Sequence, residues 1–175
     1  MATILPVEGI LPKFGNNCFV APNATVVGDV TMGDECSVWF NTVVRGDVNS
    51  IIIGNKVNIQ DGAVIHCTYQ KTKTIIGNNV SIGHNAIVHG CTVHDNVLVG
   101  MGAIIMDGAE VGSNSIIAAG AVVLEGTMIE AGSIYAGIPA KKVKDISKEL
   151  ISGQIERIAN NYVHYAGWFK EANGG

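Results

Sequence analysis

An apolar residue recurs at about every sixth position through most of this chain, and few folds tolerate that spacing. The series runs Val26, Met32, Val38, Val44, Ile53, Ile59, Ile65, Ile76, Ile82, Val88, Val93, Val99, Ile105, Val111, Ile117, Val123, Ile129 and Tyr135. Glycine follows the apolar residue at Gly33, Gly54, Gly77, Gly83, Gly100 and Gly112, and a small residue sits four after it at Ala63, Ala86, Ala103, Ala109 and Ala121. A period of six fits neither the 3.6 residues of a helix nor the two of a strand. It fits a short strand followed by a turn, with the glycine expected to ease the turn backbone. Three such units close one coil of a prism. Stacked coils then run their strands ~4.8 Å apart with the aliphatic side chains inside. Eighteen units predict about six coils.

Composition agrees with a repetitive fold and a narrow interior: 22 glycines stand against 4 prolines, and aromatics make up 6%. Mean hydropathy is high at +0.32. Even so, the longest apolar run, Ile116 to Leu124, is about half of a ~20-residue membrane span, so no membrane partner is expected. A net charge of −4 without a basic cluster argues against nucleic acid. The start Met1-Ala2-Thr3-Ile4-Leu5-Pro6 lacks the basic segment of a secretory signal. Four cysteines without a CxxC pair suit a reducing compartment, and the expected location is cytoplasmic.

Two stretches are expected within one globular unit. Residues 1–140 form the repeat domain, with Met1 to Phe19 as an extended lead-in and cap and Gly137-Ile138-Pro139-Ala140 ending the strands. Residues 141–175 carry a helix and a tail. Leu150, Ile151, Ile155, Ile158, Ala159 and Tyr162 fall at helical spacing, predicting a helix over 147–166 with Ser147 as N-cap, lying along one prism face. The tail from Glu171 to Gly175 is expected to fray.

The repeat breaks in three places. The interval from Val44 to Ile53 is nine, from Ile65 to Ile76 eleven, and from Val88 to Val93 five. Counted in units, Val44, Ile65 and Val88 are three apart and share one prism face. Arg45, His66 and His89 each follow one of them and should stack there, facing outward. Asp61 and His84 sit two past their anchors on the preceding face, also one coil apart. His66 and His89 are thus placed to hold one ion together, whereas His84 points away around a corner. A three-histidine site then needs His84 from another subunit, which three-fold symmetry supplies in a homotrimer. Three imidazoles with one open position form a catalytic zinc arrangement.

The runs Asn41-Thr42-Val43-Val44-Arg45-Gly46-Asp47, Asn58-Ile59-Gln60-Asp61-Gly62-Ala63-Val64-Ile65-His66, and Ser81-Ile82-Gly83-His84 through Val88-His89-Gly90 resemble the signature of the γ-class carbonic anhydrases. These belong to the hexapeptide-repeat proteins, whose coils are left-handed parallel β-helices. That handedness is implied by the resemblance, since parallel crossovers are ordinarily right-handed. The resemblance implies metal binding by His66, His84 and His89, with Arg45 and Asp47 pairing subunits across the interface. Gln60 and Asp61 would sit beside a metal-bound hydroxide that attacks CO₂ or a related small carbonyl substrate. Tyr162 matches a helix tyrosine that approaches the metal in the family's shorter branch. Zinc is the expected ion, with iron and cobalt also suited to three imidazoles.

The loops Val48-Asn49-Ser50 and Cys67-Thr68-Tyr69-Gln70 carry none of the glutamates found there in the best-studied members, which places the chain with that shorter branch. Two alternatives stay open: a hexapeptide-repeat acyltransferase using acyl-coenzyme A, and a non-catalytic metal-binding trimer. His94 and His164 are expected to be solvated, and Cys36 to lie in the core. Cys67 and Cys91 adjoin the site without the spacing of a cysteine metal centre.

Overall fold

A computed structural model describes residues 1–172 of the chain. Residues 173–175, part of the tail expected to fray, lie outside them. Short strands stack in three parallel ladders around an aliphatic interior. The first ladder runs Thr3–Leu5, Thr25–Met32, Val43–Ile53, Val64–His66, Ile87–His89, Ile104–Ile105 and Val122–Val123. The two long strands bend around a corner into the second ladder. That ladder begins at Lys13–Phe14 and continues through Thr74–Ile76, Thr92–Val93, Glu110–Val111 and Met128–Ile129. The third holds Phe19–Val20, Ser37–Val38, Asn58–Ile59, Ser81–Ile82, Val97–Val99, Ser115–Ile117 and Ser133–Ala136.

The parallel solenoid expected from the repeat is therefore present, with about seven coils rather than six. The lead-in is the missing coil. Ile4, Phe14 and Val20 pair with Val26, Met32 and Val38 as later anchors do. Phe14 and Val20 continue the hexad spacing back from Val26, and only Ile4 departs from it, because a turn closed by the Val7–Ile10 bridge stretches the first interval to ten residues.

In-series anchors stack in register, as in Val44 on Ile65 on Val88 and Ile59 on Ile82 on Val99. All of these are fully buried. Each such side chain contributes about 1.5–3 kcal/mol on leaving water.

The glycines after the anchors serve a different purpose from the one expected. None of the six has a positive φ. They are required because stacked coils come too close for a side chain: a Cβ on Gly83 would lie 2.7 Å from the Met101 amide nitrogen, and one on Gly100 2.4 Å from that of Ala119. Left-handed corner positions fall to a different set of glycines, such as Gly62, Gly102 and Gly120, and to asparagines such as Asn41, Asn79, Asn85, Asn96 and Asn114, the non-glycine residue that best tolerates that conformation.

After Ala140 the chain adds an unanticipated strand, Lys141–Asp145, antiparallel to Ser133–Ala136. Its five residues are all exposed, and lysines protect this open edge. The helix follows as Lys148–Leu150, a π-helical stretch Ile151–Glu156, and Arg157–Ala172, with the Ser147 hydroxyl accepting from the Leu150 amide at 3.3 Å. It packs on the outside of the third ladder and buries Ile155, Ala159 and Ala166. Because strand side chains alternate, residues flanking the inward anchors point toward this helix. Ser37, Asn58, Gln60 and Ser81 are buried beneath it. Among the described residues, no helix is long and apolar enough to cross a membrane.

Candidate functional site

His66 and His89 are direct partners across the first ladder. Their rings stand 5.1 Å apart between centroids, and His66 Nδ1 lies 3.1 Å from His89 Nε2. A carboxylate backs each ring from the other side. Asp47 Oδ1 is 3.0 Å from His66 Nε2, and Asp107 Oδ1 is 2.9 Å from His89 Nδ1. An ionised carboxylate only accepts hydrogen bonds, so the backed nitrogens carry the hydrogens. The two nitrogens that face each other are then both lone pairs. Two acceptors at that separation repel unless something electropositive lies between them, either a proton or a metal cation. The donor set fits a divalent metal, since neutral imidazoles oriented by carboxylates are what such ions take.

The surroundings keep these groups in the required charge states. Burial pushes the His66 imidazolium down; Asp47 pulls the other way, the Arg45 charge adds to the lowering, and the net shift favours the neutral ring. Partial burial pushes Asp47 up, but hydrogen bonds from Arg45 and His66 outweigh it and hold the carboxyl below its usual range. Asp107 is likewise raised by burial and lowered further by bonds from Thr68, His89 and Thr72. Arg45 pairs with Asp47 within the chain.

His84 does not join the pair. It sits at the corner after Ser81–Ile82, where its Nδ1 faces Asp61 Oδ2 at 3.0 Å. Its Nε2 lies 3.4 Å from the Tyr162 hydroxyl. Asp61 thus backs His84 as Asp47 and Asp107 back the other two rings. Tyr162 stacks edge-on against Trp39 at 5.2 Å, and burial, with the Asp61 charge adding, pushes its phenol up to about 12. It remains a hydrogen-bond donor at neutral pH. Gln60 is buried nearby, donating its amide to Asn58 Oδ1 at 3.0 Å, while Asn58 donates to Ser81 Oγ at 2.7 Å. Gln60, His84, Leu98, Met101, Ile158 and Tyr162 line a cleft of about 370 Å³ between helix and coil. A second cleft of about 410 Å³, at Glu35, Lys56, Asn78 and Asn160, contains none of the expected site residues.

Among the described residues of one chain, no three His, Cys, Asp or Glu side chains converge on a single point. Cys67 and Cys91 are buried, and burial raises both thiols, Cys91 to about 12. Cys36 is buried as expected. His94 is half-exposed and paired with Glu110 at 2.7 Å, and His164 stacks on Trp168.

The sequence reading missed Asp107. The signal was available: Ile105 stacks on Val88, and Asp107 lies two past Ile105, the same offset that singled out Asp61 and His84.

Two family models match the chain. The one described as bacterial transferase hexapeptide (six repeats) matches residues 12–46 and 90–125, and the one described as hexapeptide repeat of succinyl-transferase matches 73–106. A carbonic anhydrase of Geobacillus kaustophilus is 41% identical, over 95% of this chain and 91% of its own length. The mitochondrial gamma carbonic anhydrase 2 of Arabidopsis thaliana is 40% identical over 94% of this chain, which spans 60% of that protein. Among solved structures, a hexapeptide transferase family protein from Anaplasma phagocytophilum superposes with a TM-score of 0.90 at 38% identity, covering 95% of this chain and 98% of the other.

Proposed function

The chain belongs to the hexapeptide-repeat proteins of gamma carbonic anhydrase type, and from that footing we propose that it is a metal-dependent enzyme hydrating CO₂ to bicarbonate, with sites shared between subunits of a homotrimer. The observation that carries the reading is the opposed pair of nitrogens on His66 and His89, 3.1 Å apart with a carboxylate behind each ring. His84 of the next subunit would complete the donor set, because in its own chain it faces another side of the coil. Zinc is the proposed ion, with iron and cobalt as alternatives of the same donor chemistry. A divalent ion bound there supplies the Lewis acidity that lowers the pKa of a water from about 16 to about 7.

The chain's own residues would do the rest. Asp47, Asp61 and Asp107 fix the three rings in one tautomer each, and Arg45 keeps Asp47 ionised. Gln60 and Tyr162 offer an amide and a phenol at the polar end of the cleft. Leu98, Met101 and Ile158 form its apolar side. No carboxylate is present in residues 48–50 or 67–70, so the product proton would leave through solvent or buffer.

Measuring metal per chain and CO₂ hydration on protein purified without chelator tests this. About one ion per chain and hydration lost in His66→Ala are expected; metal-free protein would refute the reading. A second reading, acyl transfer from acyl-coenzyme A, draws on the transferase descriptions of the matching family models. It requires release of free coenzyme A in the presence of an amine or hydroxyl acceptor, and hydration without any such release excludes it.

A further inference from the structure

Asp107 is a carboxylate that the repeat does not require. It stands on the coil that stacks on His89, and it gathers three donors. Oδ1 accepts from His89 Nδ1 at 2.9 Å and from the Thr72 hydroxyl at 3.1 Å, and Oδ2 accepts from the Thr68 hydroxyl at 2.7 Å. The Thr68 amide in turn donates to the Thr72 hydroxyl at 3.1 Å. Each threonine hydroxyl has one hydrogen, and both are spent on Asp107. The donor and acceptor count therefore closes only with the hydrogen of the His89 ring on Nδ1.

Two sequence oddities converge on this arrangement. Thr68 and Thr72 lie in the stretch that lengthens the Ile65-to-Ile76 interval to eleven, and Gly90 follows the Val88–His89 strand end where the interval shortens to five. Gly90 has φ +56°, and a Cβ there would fall 1.8 Å from Asp107 Oδ1 and 2.3 Å from the Thr72 hydroxyl. Only glycine leaves room for carboxylate and loop to close on the histidine.

We propose that Asp107 is the positioning residue for His89: with Thr68 and Thr72 it clamps the ring as the Nδ1–H tautomer, aims Nε2 at His66 Nδ1, and makes the 67–73 loop part of the metal-binding frame. Its consequence for metal affinity rests on the metal-site reading above; the clamp itself does not. Without Asp107 the ring could turn or shift its hydrogen to Nε2, which would remove the lone pair from the pair's meeting point. Loss of a carboxylate behind a ligating histidine weakens metal binding on the order of 10–100-fold.

The test uses the full chain in two measurements. Long-range ¹H–¹⁵N spectra of the histidine rings in metal-free protein, taken well above the ordinary imidazole pKa of about 6.5, should show His89 as the Nδ1–H tautomer. Asp107→Ala should convert it to a mixture or to Nε2–H. Zinc affinity by chelator competition should fall about 10–100-fold in Asp107→Ala and less in Thr68→Val/Thr72→Val. A wild-type His89 in the Nε2–H form, or an Asp107→Ala protein with unchanged tautomer and zinc affinity, would overturn the proposal. If Asp107→Ala does not fold, the wild-type tautomer and the double threonine variant decide. Wild-type protein that takes up no zinc defeats the metal reading, while the ring spectra still decide the clamp.

Discussion

His66 and His89 on one side, and His84 on the other, are the same device set in different surroundings. Each is an imidazole with a carboxylate behind one nitrogen. On the first ladder, strand register alone brings the two free nitrogens together across one coil step. At the corner, the free nitrogen of His84 meets a phenol brought from a helix 78 residues further along the chain. A solenoid can aim two donors from one ladder at one point without help. It cannot turn a residue on a neighbouring face to the same point, and a third donor has to come from elsewhere. That contrast is the physical case for a site shared between copies of the chain.

The largest expected effect tests that contrast directly. His66→Ala and His84→Ala should each lose bound metal and hydration by more than the 10–100-fold typical of a residue behind a ligand. Co-expressing the two variants should restore about a quarter of the wild-type metal, since a random trimer of this symmetry pairs an intact His66 with an intact neighbouring His84 at about one interface in four. No recovery would place the complete site within one chain. Next in size, Ile82→Ala removes a fully buried anchor two residues before His84. It should cost about 2–5 kcal/mol in chemical denaturation. A cost under about 1 kcal/mol would mean the corner does not depend on its anchor.

Smaller still, Tyr162→Phe keeps the ring against Trp39 and removes only the hydroxyl on His84. Stability should change by about 1 kcal/mol, with metal content unchanged and turnover reduced. Unchanged turnover would confine the hydroxyl to a structural part.

The smallest effect is a pH slope in the metal-free protein. The folded pKa of His66 is lowered, so its contribution is complete above about 6.5 and declines as pH falls toward the folded value. That of Asp47 is also lowered, so its contribution is complete above about 3.9 and is lost as pH falls through the folded value. Melting temperature should therefore drop on acidification in two limbs. His66→Gln should flatten the upper limb and Asp47→Asn the lower, which thermal melts across the range would read.

Residue spacing alone carries much of this architecture, because a solenoid converts spacing into position. Counting units from Val44, Ile65 and Val88 was enough to set His66 beside His89 and to turn His84 away, since each unit fixes one strand on one face. It also found the helix and its Ser147 cap. Spacing could not reveal what depends on neighbouring coils touching. The first strand hid behind an irregular turn, and the six glycines after the anchors proved necessary for close approach rather than for turning. Which partner each polar atom takes depends on how coils and helix pack together. Asp107 reaches His89 because Gly90 leaves a gap for it, and Tyr162 reaches His84 because Trp39 seats the helix against the third ladder. Backbone periodicity sets positions to within a residue. Hydrogen bonds are settled at fractions of an ångström, where the packing of neighbouring side chains has the last word.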